Sequence, residues 1–63
     1  MDDIERRLRG EVPEERRRAV TEIPQAPNGE WPRLLVRALG DSDWRVRKEA
    51  VAAYELVYAA LGA

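Results

Sequence analysis

The sequence contains no cysteine, no histidine and no phenylalanine. Without thiols and imidazoles, the chain lacks disulfides, the usual zinc ligands and the commonest general acid–base group of enzymes. No apolar run is long enough for a membrane span, and residues 1–5 are acidic, unlike a secretory signal. These absences predict a protein without cofactor, metal or membrane contact, in a reducing, cytoplasmic setting.

The charges are balanced, with eleven basic residues against twelve acidic ones and a net charge of −1. So small a net charge offers no long-range attraction to nucleic acids or anionic membranes. Six arginines lie near the start of the chain, interleaved with glutamates. We interpret this region as an ion-paired, solvated face and keep nucleic-acid binding as an alternative. The six are Arg6, Arg7, Arg9, Arg16, Arg17 and Arg18.

Prolines, glycines and acidic residues mark the limits of a first helical pair. Asp2 and Asp3 can cap a short helix that stops at Gly10. Pro13 suits the first turn of a second helix, and Pro24 is predicted to end it. The apolar residues expected to face inward are Ile4, Leu8, Val12, Ala19, Val20 and Ile23.

A loop over residues 24–30, with two of the four prolines and an Asn-Gly pair, precedes a second helical pair. A third helix is predicted over 32–40 and a fourth over 44–61, capped by the aspartates of the turn 41–43. Because the link within each pair is short, the two helices must run antiparallel. The residues expected to face inward are Leu34, Leu35, Ala38 and Leu39, and then Ala50, Tyr54, Val57 and Leu61.

A shift of 31 residues superimposes the second pair on the first. Apolar residues fall on apolar ones, and a basic pair keeps its place in the second helix of each pair. A fixed period of this size is typical of a helical solenoid, with residues 2–23 and 31–61 as its two repeats. The matched pairs are Ile4 with Leu35, Arg6 with Arg37, Leu8 with Leu39, Arg16 with Arg47, Arg17 with Lys48, Ala19 with Ala50 and Val20 with Val51.

The segment 34–51, which reads LLVRALGDSDWRVRKEAV, resembles a HEAT repeat of the short bacterial type, the group that includes the repeats of phycobilin lyases. The resemblance rests on Leu-x-x-x-Leu, a turn with aspartate, and Val-Arg-x-x-Ala. It covers residues 32–61 well and residues 2–23 weakly. It implies an all-α fold in which two antiparallel hairpins stack as a fragment of an α-α solenoid.

In that family a turn aspartate and an arginine six positions later form a ladder of ion pairs between repeats. Asp41 and Arg47 match these positions, and Arg16 is placed to reach Asp41 from the first repeat. Gly10 stands where the first repeat should have its aspartate. The first repeat is therefore an atypical or capping one, or a helical hairpin of another kind.

The fourth helix carries more apolar surface than one neighbour can cover. Leu56, Ala52 and Ala60 lie outside its predicted inward stripe. An apolar stripe of about 100° suffices for packing on one side, so the surplus predicts a second packing partner. That partner is a further repeat or another copy of this chain.

The aromatic residues are interpreted mainly as packing. Trp31 and Trp44 each flank a helix start, where they can cover a loop or a helix end. Tyr54 and Tyr58, four residues apart, are expected to pack in the core with their hydroxyls at its rim.

No catalytic constellation is found. Thr21 and Ser42 have no neighbouring base, and no phosphate loop or metal-ligand spacing occurs. We expect a protein–protein interaction or scaffold module that is the N-terminal part of a longer protein, with a homodimerisation domain as the alternative. By analogy with HEAT repeats, the second helices (13–23 and 43–61) would line a concave binding face. Its candidate residues are Arg17, Arg18, Thr21, Lys48, Glu49, Ala52 and Glu55.

Overall fold

The computed structural model describes residues 3–25 and 29–62, with the side chains of residues 4–25 and 29–59. Within these ranges the chain is all-helical, which confirms the predicted all-α class. The predicted cap Asp2 and most of the loop at 26–28 lie outside the described residues. The helices are α1 (Asp3–Arg7), α2 (Pro13–Thr21), α3 (Trp31–Leu39) and α4 (Trp44–Gly62), with a 3₁₀ turn at Ile23–Gln25.

The end of α2 differs from the prediction. The α-helix stops at Thr21, and Pro24 lies inside the 3₁₀ turn instead of terminating the helix. Proline has no N–H to donate, so the α-helical ladder cannot continue through it. The turn needs only the N–H of Gln25, which donates to the carbonyl of Glu22 at 3.0 Å.

The turn before α4 is built by two aspartates, as predicted. The Asp43 carboxylate accepts the backbone N–H of Arg45 at 2.8 Å, which caps the helix. The Asp41 carboxylate accepts the N–H of Asp43, also at 2.8 Å. Both side chains satisfy backbone donors that would otherwise have no partner at a helix start.

One hydrophobic core joins all the elements, and α4 lies at its centre, in contact with both α2 and α3. The inward stripe of α4 consists of Val46, Ala50, Ala53 and Val57, spaced four, three and four residues apart. The small alanines in this stripe let the neighbouring helices approach α4 closely. The buried residues from the rest of the chain are Leu8, Ala19, Val20, Ile23, Leu34, Leu35 and Ala38.

Three predicted core residues are exposed. Ala53 lies in the buried stripe of α4, where Tyr54 was predicted to lie. Because successive helical residues are rotated by about 100°, the two side chains point in different directions, and the side of α4 that meets α2 and α3 is the side of Ala53. Val12 lies before the first turn of α2 and is also exposed. Leu39 is partly uncovered at the end of α3. The side chain of Leu61 lies outside the described ones.

Candidate partner-binding groove

A surface groove of about 290 Å³ runs between α2 and the first half of α4. Four of the seven residues predicted for the concave face line it, contributed by both helices. Two further residues, at the start of α4, were not predicted. The lining residues are Arg17, Trp44, Arg45, Lys48, Glu49 and Ala52.

Arg17 forms the ion-paired part of the groove. Its guanidinium donates to both carboxylate oxygens of Glu14, at 3.1 and 2.7 Å, and to Glu49 on α4 at 2.9 Å. The hydrogen bonds to Glu14 and then those to Glu49 raise the pKa of Arg17, and the same arginine lowers the pKa of Glu14. Arg17 thus ties α2 to α4 and has no further charge to offer a ligand.

Trp44 and Lys48 form the open part of the groove. The Trp44 side chain is 60% exposed, so the expectation that it packs structurally is wrong. Trp44 is the first residue of α4, so there is no preceding helical turn against which its ring could pack. Lys48 is exposed and makes no ion pair within the described part of the chain, whereas Arg45 pairs with Asp43 at 3.2 Å. The groove therefore presents an indole ring beside an available ammonium group.

The other three predicted face residues do not line the groove. Arg18 is exposed and lies 3.7 Å from a carboxylate oxygen of Glu14. The hydroxyl of Thr21 donates to the carbonyl of Arg18 at 2.6 Å, a local helix contact. Glu55 is exposed one helical turn further along α4. These residues border the groove region without shaping it.

A half-buried, bidentate ion pair joins the two helical pairs. Arg16 donates from Nε to one carboxylate oxygen of Asp41 at 2.8 Å and from Nη2 to the other at 3.1 Å. The two side chains are only 13% and 10% exposed. Burial raises the pKa of Asp41, but hydrogen bonds from Arg16 and the N–H of Asp43 outweigh it and leave the pKa below its ordinary value. The bond from Arg16 to Asp41 thus connects α2 to the turn before α4.

Arg47 repeats half of this arrangement. Its Nη1 donates to the carbonyl of Asp41 at 2.8 Å, six residues earlier, just as Nη1 of Arg16 donates to the carbonyl of Gly10 at 2.8 Å. The guanidinium of Arg16 also pairs with a carboxylate, that of Asp41, whereas the guanidinium of Arg47 has no carboxylate partner among the described residues. The two arginines therefore share one backbone contact and differ in one ion pair.

The remaining arginines near the start of the chain are largely engaged in ion pairs. Arg7 forms a bidentate pair with Glu22 at 2.8 and 2.9 Å, and Arg9 lies 3.1 Å from Glu5. This pairing reduces the field available for phosphate contacts.

The apolar surplus of α4 lies on two sides of the helix. Leu56 is 64% exposed and Ala52 is exposed, on the side that faces the groove. The side chain of Ala60, predicted for the same surface, lies outside the described ones. Tyr54 and Tyr58 are both exposed and stack on each other with their ring centroids 5.8 Å apart, so the prediction that they pack in the core is wrong. Trp31, by contrast, is half-buried and packs against the core, as expected.

Sequence reasoning missed Trp44 and Arg45 as groove residues. The signal was present, because Trp44, Lys48 and Ala52 follow one another at intervals of four and so share one side of a helix. Deciding that this side stays open required the position of α2.

Within residues 3–25 and 29–62, no group of histidines, cysteines or carboxylates is arranged to hold a metal ion. Over the same ranges, no helix has both the length and the apolar character that a bilayer crossing requires. No family model, curated protein or solved structure matches the chain.

Proposed function

We propose that this chain is a non-catalytic protein–protein interaction module. In this proposal its two helical pairs are HEAT-like repeats stacked as a fragment of an α-solenoid, forming part of a longer helical array in the cytoplasm. The resemblance of residues 34–51 to HEAT repeats supports it. So does the half-buried ion pair between Arg16 and Asp41, which connects the two pairs at the positions where that family places its inter-repeat ion pairs.

The observation that carries the proposal is the groove between α2 and α4. An exposed tryptophan is costly to leave in water and is a common anchor in protein interfaces. Beside Trp44, Lys48 supplies a cation without an ion pair in the described structure, and the Arg17 network holds the groove in shape. One apolar contact and one charged contact side by side suit recognition by complementary shape and charge.

A non-catalytic role agrees with the state of the polar groups in the groove. Its carboxylate, Glu49, accepts a hydrogen bond from Arg17 at 2.9 Å. The groove is also wide open to solvent, whereas catalytic carboxylates and amines usually need an apolar enclosure to shift their pKa.

The partner that fits the groove is an acidic peptide segment with an apolar side chain. The apolar side chain would cover Trp44, and a carboxylate would pair with Lys48. A displayed peptide library, selected on the unaltered chain, tests this expectation. We expect enrichment of acidic peptides with an apolar anchor, and at least about a tenfold loss of affinity on Trp44→Ala and on Lys48→Glu, equivalent to about 1.4 kcal/mol.

The matched control is Tyr58→Ala, which removes another exposed aromatic from α4 outside the groove. It should leave peptide affinity unchanged. Peptides that bind the Trp44→Ala variant as well as the unaltered chain, or no enrichment at all, would contradict the groove as a binding site.

A second candidate function is self-association through the exposed surface of α4 that includes Ala52 and Leu56. Leu56 is 64% exposed and lies one helical turn from the exposed Ala52, and contiguous exposed apolar surface is typical of protein–protein contacts. Sedimentation velocity over a hundredfold range of concentration should then show a dimer that Leu56→Glu abolishes. A monomer at every concentration would remove this candidate.

A further inference from the structure

Two oppositely charged side chains of α4, Lys48 and Glu55, are exposed and unpaired. Neither forms an ion pair with any residue whose side chain the structure describes, and they do not pair with each other. Seven residues separate them, which is nearly two full helical turns, so both lie on the same side of α4, about 10 Å apart along its axis. This side is continuous with the groove, which Lys48 lines. The helix thus offers a cation and an anion to a partner at a fixed separation.

Exposed residues continue the same side of α4 in both directions. Trp44 precedes Lys48 by four residues. Ala59 follows Glu55 by four residues. Ala52 lies between the two charges, and all five residues are exposed. Intervals of three and four residues are those by which one helix packs along another. The order tryptophan, cation, alanine, anion, alanine is centred beside Ala52, so that reversing the helix direction brings each charge onto its opposite.

We propose that the groove binds a second copy of this chain, whose α4 packs antiparallel against the first α4 about a two-fold axis beside Ala52. Lys48 of each copy then lies opposite Glu55 of the other, and the two copies form two equivalent ion pairs. The indole ring of Trp44 lies opposite Ala59, whose small side chain leaves room for it. Leu56 is covered at the edge of the same contact.

Charge complementarity selects this occupant and this direction. In a parallel arrangement, Lys48 of one copy would face Lys48 of the other, and the two carboxylates of Glu55 would face each other as well. The antiparallel arrangement turns both repulsions into attractions. A two-fold contact is self-complementary, which matches a surface whose cation and anion lie at equal distances from its centre. Ala52 at that centre lets the two helix axes approach closely.

The other charges in the groove do not compete for these sites. Arg17 pairs with Glu49 at 2.9 Å, and Arg45 pairs with Asp43 at 3.2 Å. Lys48 is therefore the lining cation that is left for a partner. A second α4 supplies what the groove is proposed to recognise, a carboxylate next to apolar side chains. The inference rests on the proposed function, because it takes the groove as a binding site and names its partner.

Charge reversal in one variant at a time tests the antiparallel contact. Sedimentation velocity of the unaltered chain over a hundredfold range of concentration should show a dimer. Lys48→Glu and Glu55→Lys should each raise the Kd of the dimer at least about tenfold, because each change places like charges opposite one another at both ends of the contact. An equimolar mixture of the two variants should dimerise again, since the reversed charges then face their opposites. Glu11→Lys, at an exposed carboxylate between α1 and α2, is the matched control and should leave the Kd unchanged.

An introduced thiol tests the position of the axis. The sequence has no cysteine, so a single new thiol reports one site. Ala52→Cys should form a disulfide between two copies under mild oxidation, because the two thiols meet beside the axis. Tyr58→Cys, at an exposed position on another side of α4, should stay largely uncrosslinked under the same conditions.

The outcomes separate this inference from the groove itself. A monomer at every concentration would overturn the inference, and acidic peptides that still bind at Trp44 would then leave the groove as a binding site. A dimer that neither charge variant weakens, or a mixture of the variants that stays monomeric, would overturn it as well. A charge-dependent dimer in a chain that selects no peptide would support the inference and contradict the peptide ligand alone.

Discussion

Replacing Arg16 with methionine should destabilise the protein far more than the same change at Arg47. Methionine keeps much of the apolar stem and removes the guanidinium. Both arginines donate to a carbonyl six residues earlier at 2.8 Å, so that contact is lost equally in the two variants. Only Arg16→Met also breaks the two hydrogen bonds to Asp41. The difference in the free energy of unfolding between the two variants therefore measures the contribution of the ion pair between Arg16 and Asp41.

The burial of this ion pair sets the magnitude. Ion pairs at the surface contribute about 0–1 kcal/mol, whereas removing one partner of a fully buried pair costs about 3–5 kcal/mol. With side chains 13% and 10% exposed, the ion pair lies between these limits, and Asp41 keeps its hydrogen bond from the N–H of Asp43. We expect Arg16→Met to cost about 2 kcal/mol more than Arg47→Met. In a domain of this size that is a difference of about 10 °C in Tm.

Urea and thermal unfolding, followed by circular dichroism, measure both values. Asp41→Ala should lower the free energy of unfolding at least as much as Arg16→Met, because it also removes the acceptor of the Asp43 N–H. The Arg16→Met and Asp41→Ala double variant should lose clearly less than the sum of the two single losses, because both remove the same ion pair. Equal losses for Arg16→Met and Arg47→Met, within about 0.5 kcal/mol, would refute the reasoning. So would full additivity in the double variant.

Two further predictions concern acid and the core. Hydrogen bonds from arginines leave the pKa values of Asp41, Glu14 and Glu22 below their ordinary values. At Asp41 burial raises the pKa, but the hydrogen bonds outweigh it. The unfolded chain then binds more protons than the folded one as the pH falls, so the contribution of these groups is complete above about pH 5 and is lost towards pH 2. The Tm should be level from pH 7 to about 5 and then fall, less steeply in Asp41→Asn; a level Tm down to pH 3 would contradict this. Val46→Ala, at a fully buried site, should cost about 2 kcal/mol in urea unfolding, and Val36→Ala, at an exposed one, under 0.5; equal effects would contradict the assigned core.

Much of the secondary structure was predictable because its causes are local. Pro13 starts α2 and the aspartate turn caps α4, at the places where prolines and acidic side chains suit a helix start. The end of α2 was placed too late, since a proline can lie inside a 3₁₀ turn as well as stop a helix.

The candidate site was less accessible to sequence reasoning. The stacking of helical hairpins implied by the resemblance to HEAT repeats placed Arg16 within reach of Asp41, and the two residues are in contact. Exposure was harder to predict: Trp44 and Tyr54 were assigned to packing, yet both are exposed. An amphipathic pattern identifies which residues can be buried, whereas a neighbouring helix decides which of them are.

The sequence by itself determined the all-helical class and most helix limits, because hydrogen bonding and apolar periodicity act over a few residues. Only the tertiary structure decided which side of α4 meets the core. It also decided that the groove beside Trp44 stays open, and that Val51 is uncovered where Val20 is enclosed. These features depend on how helices far apart in the chain pack together, and that packing follows from their lengths and side-chain volumes jointly.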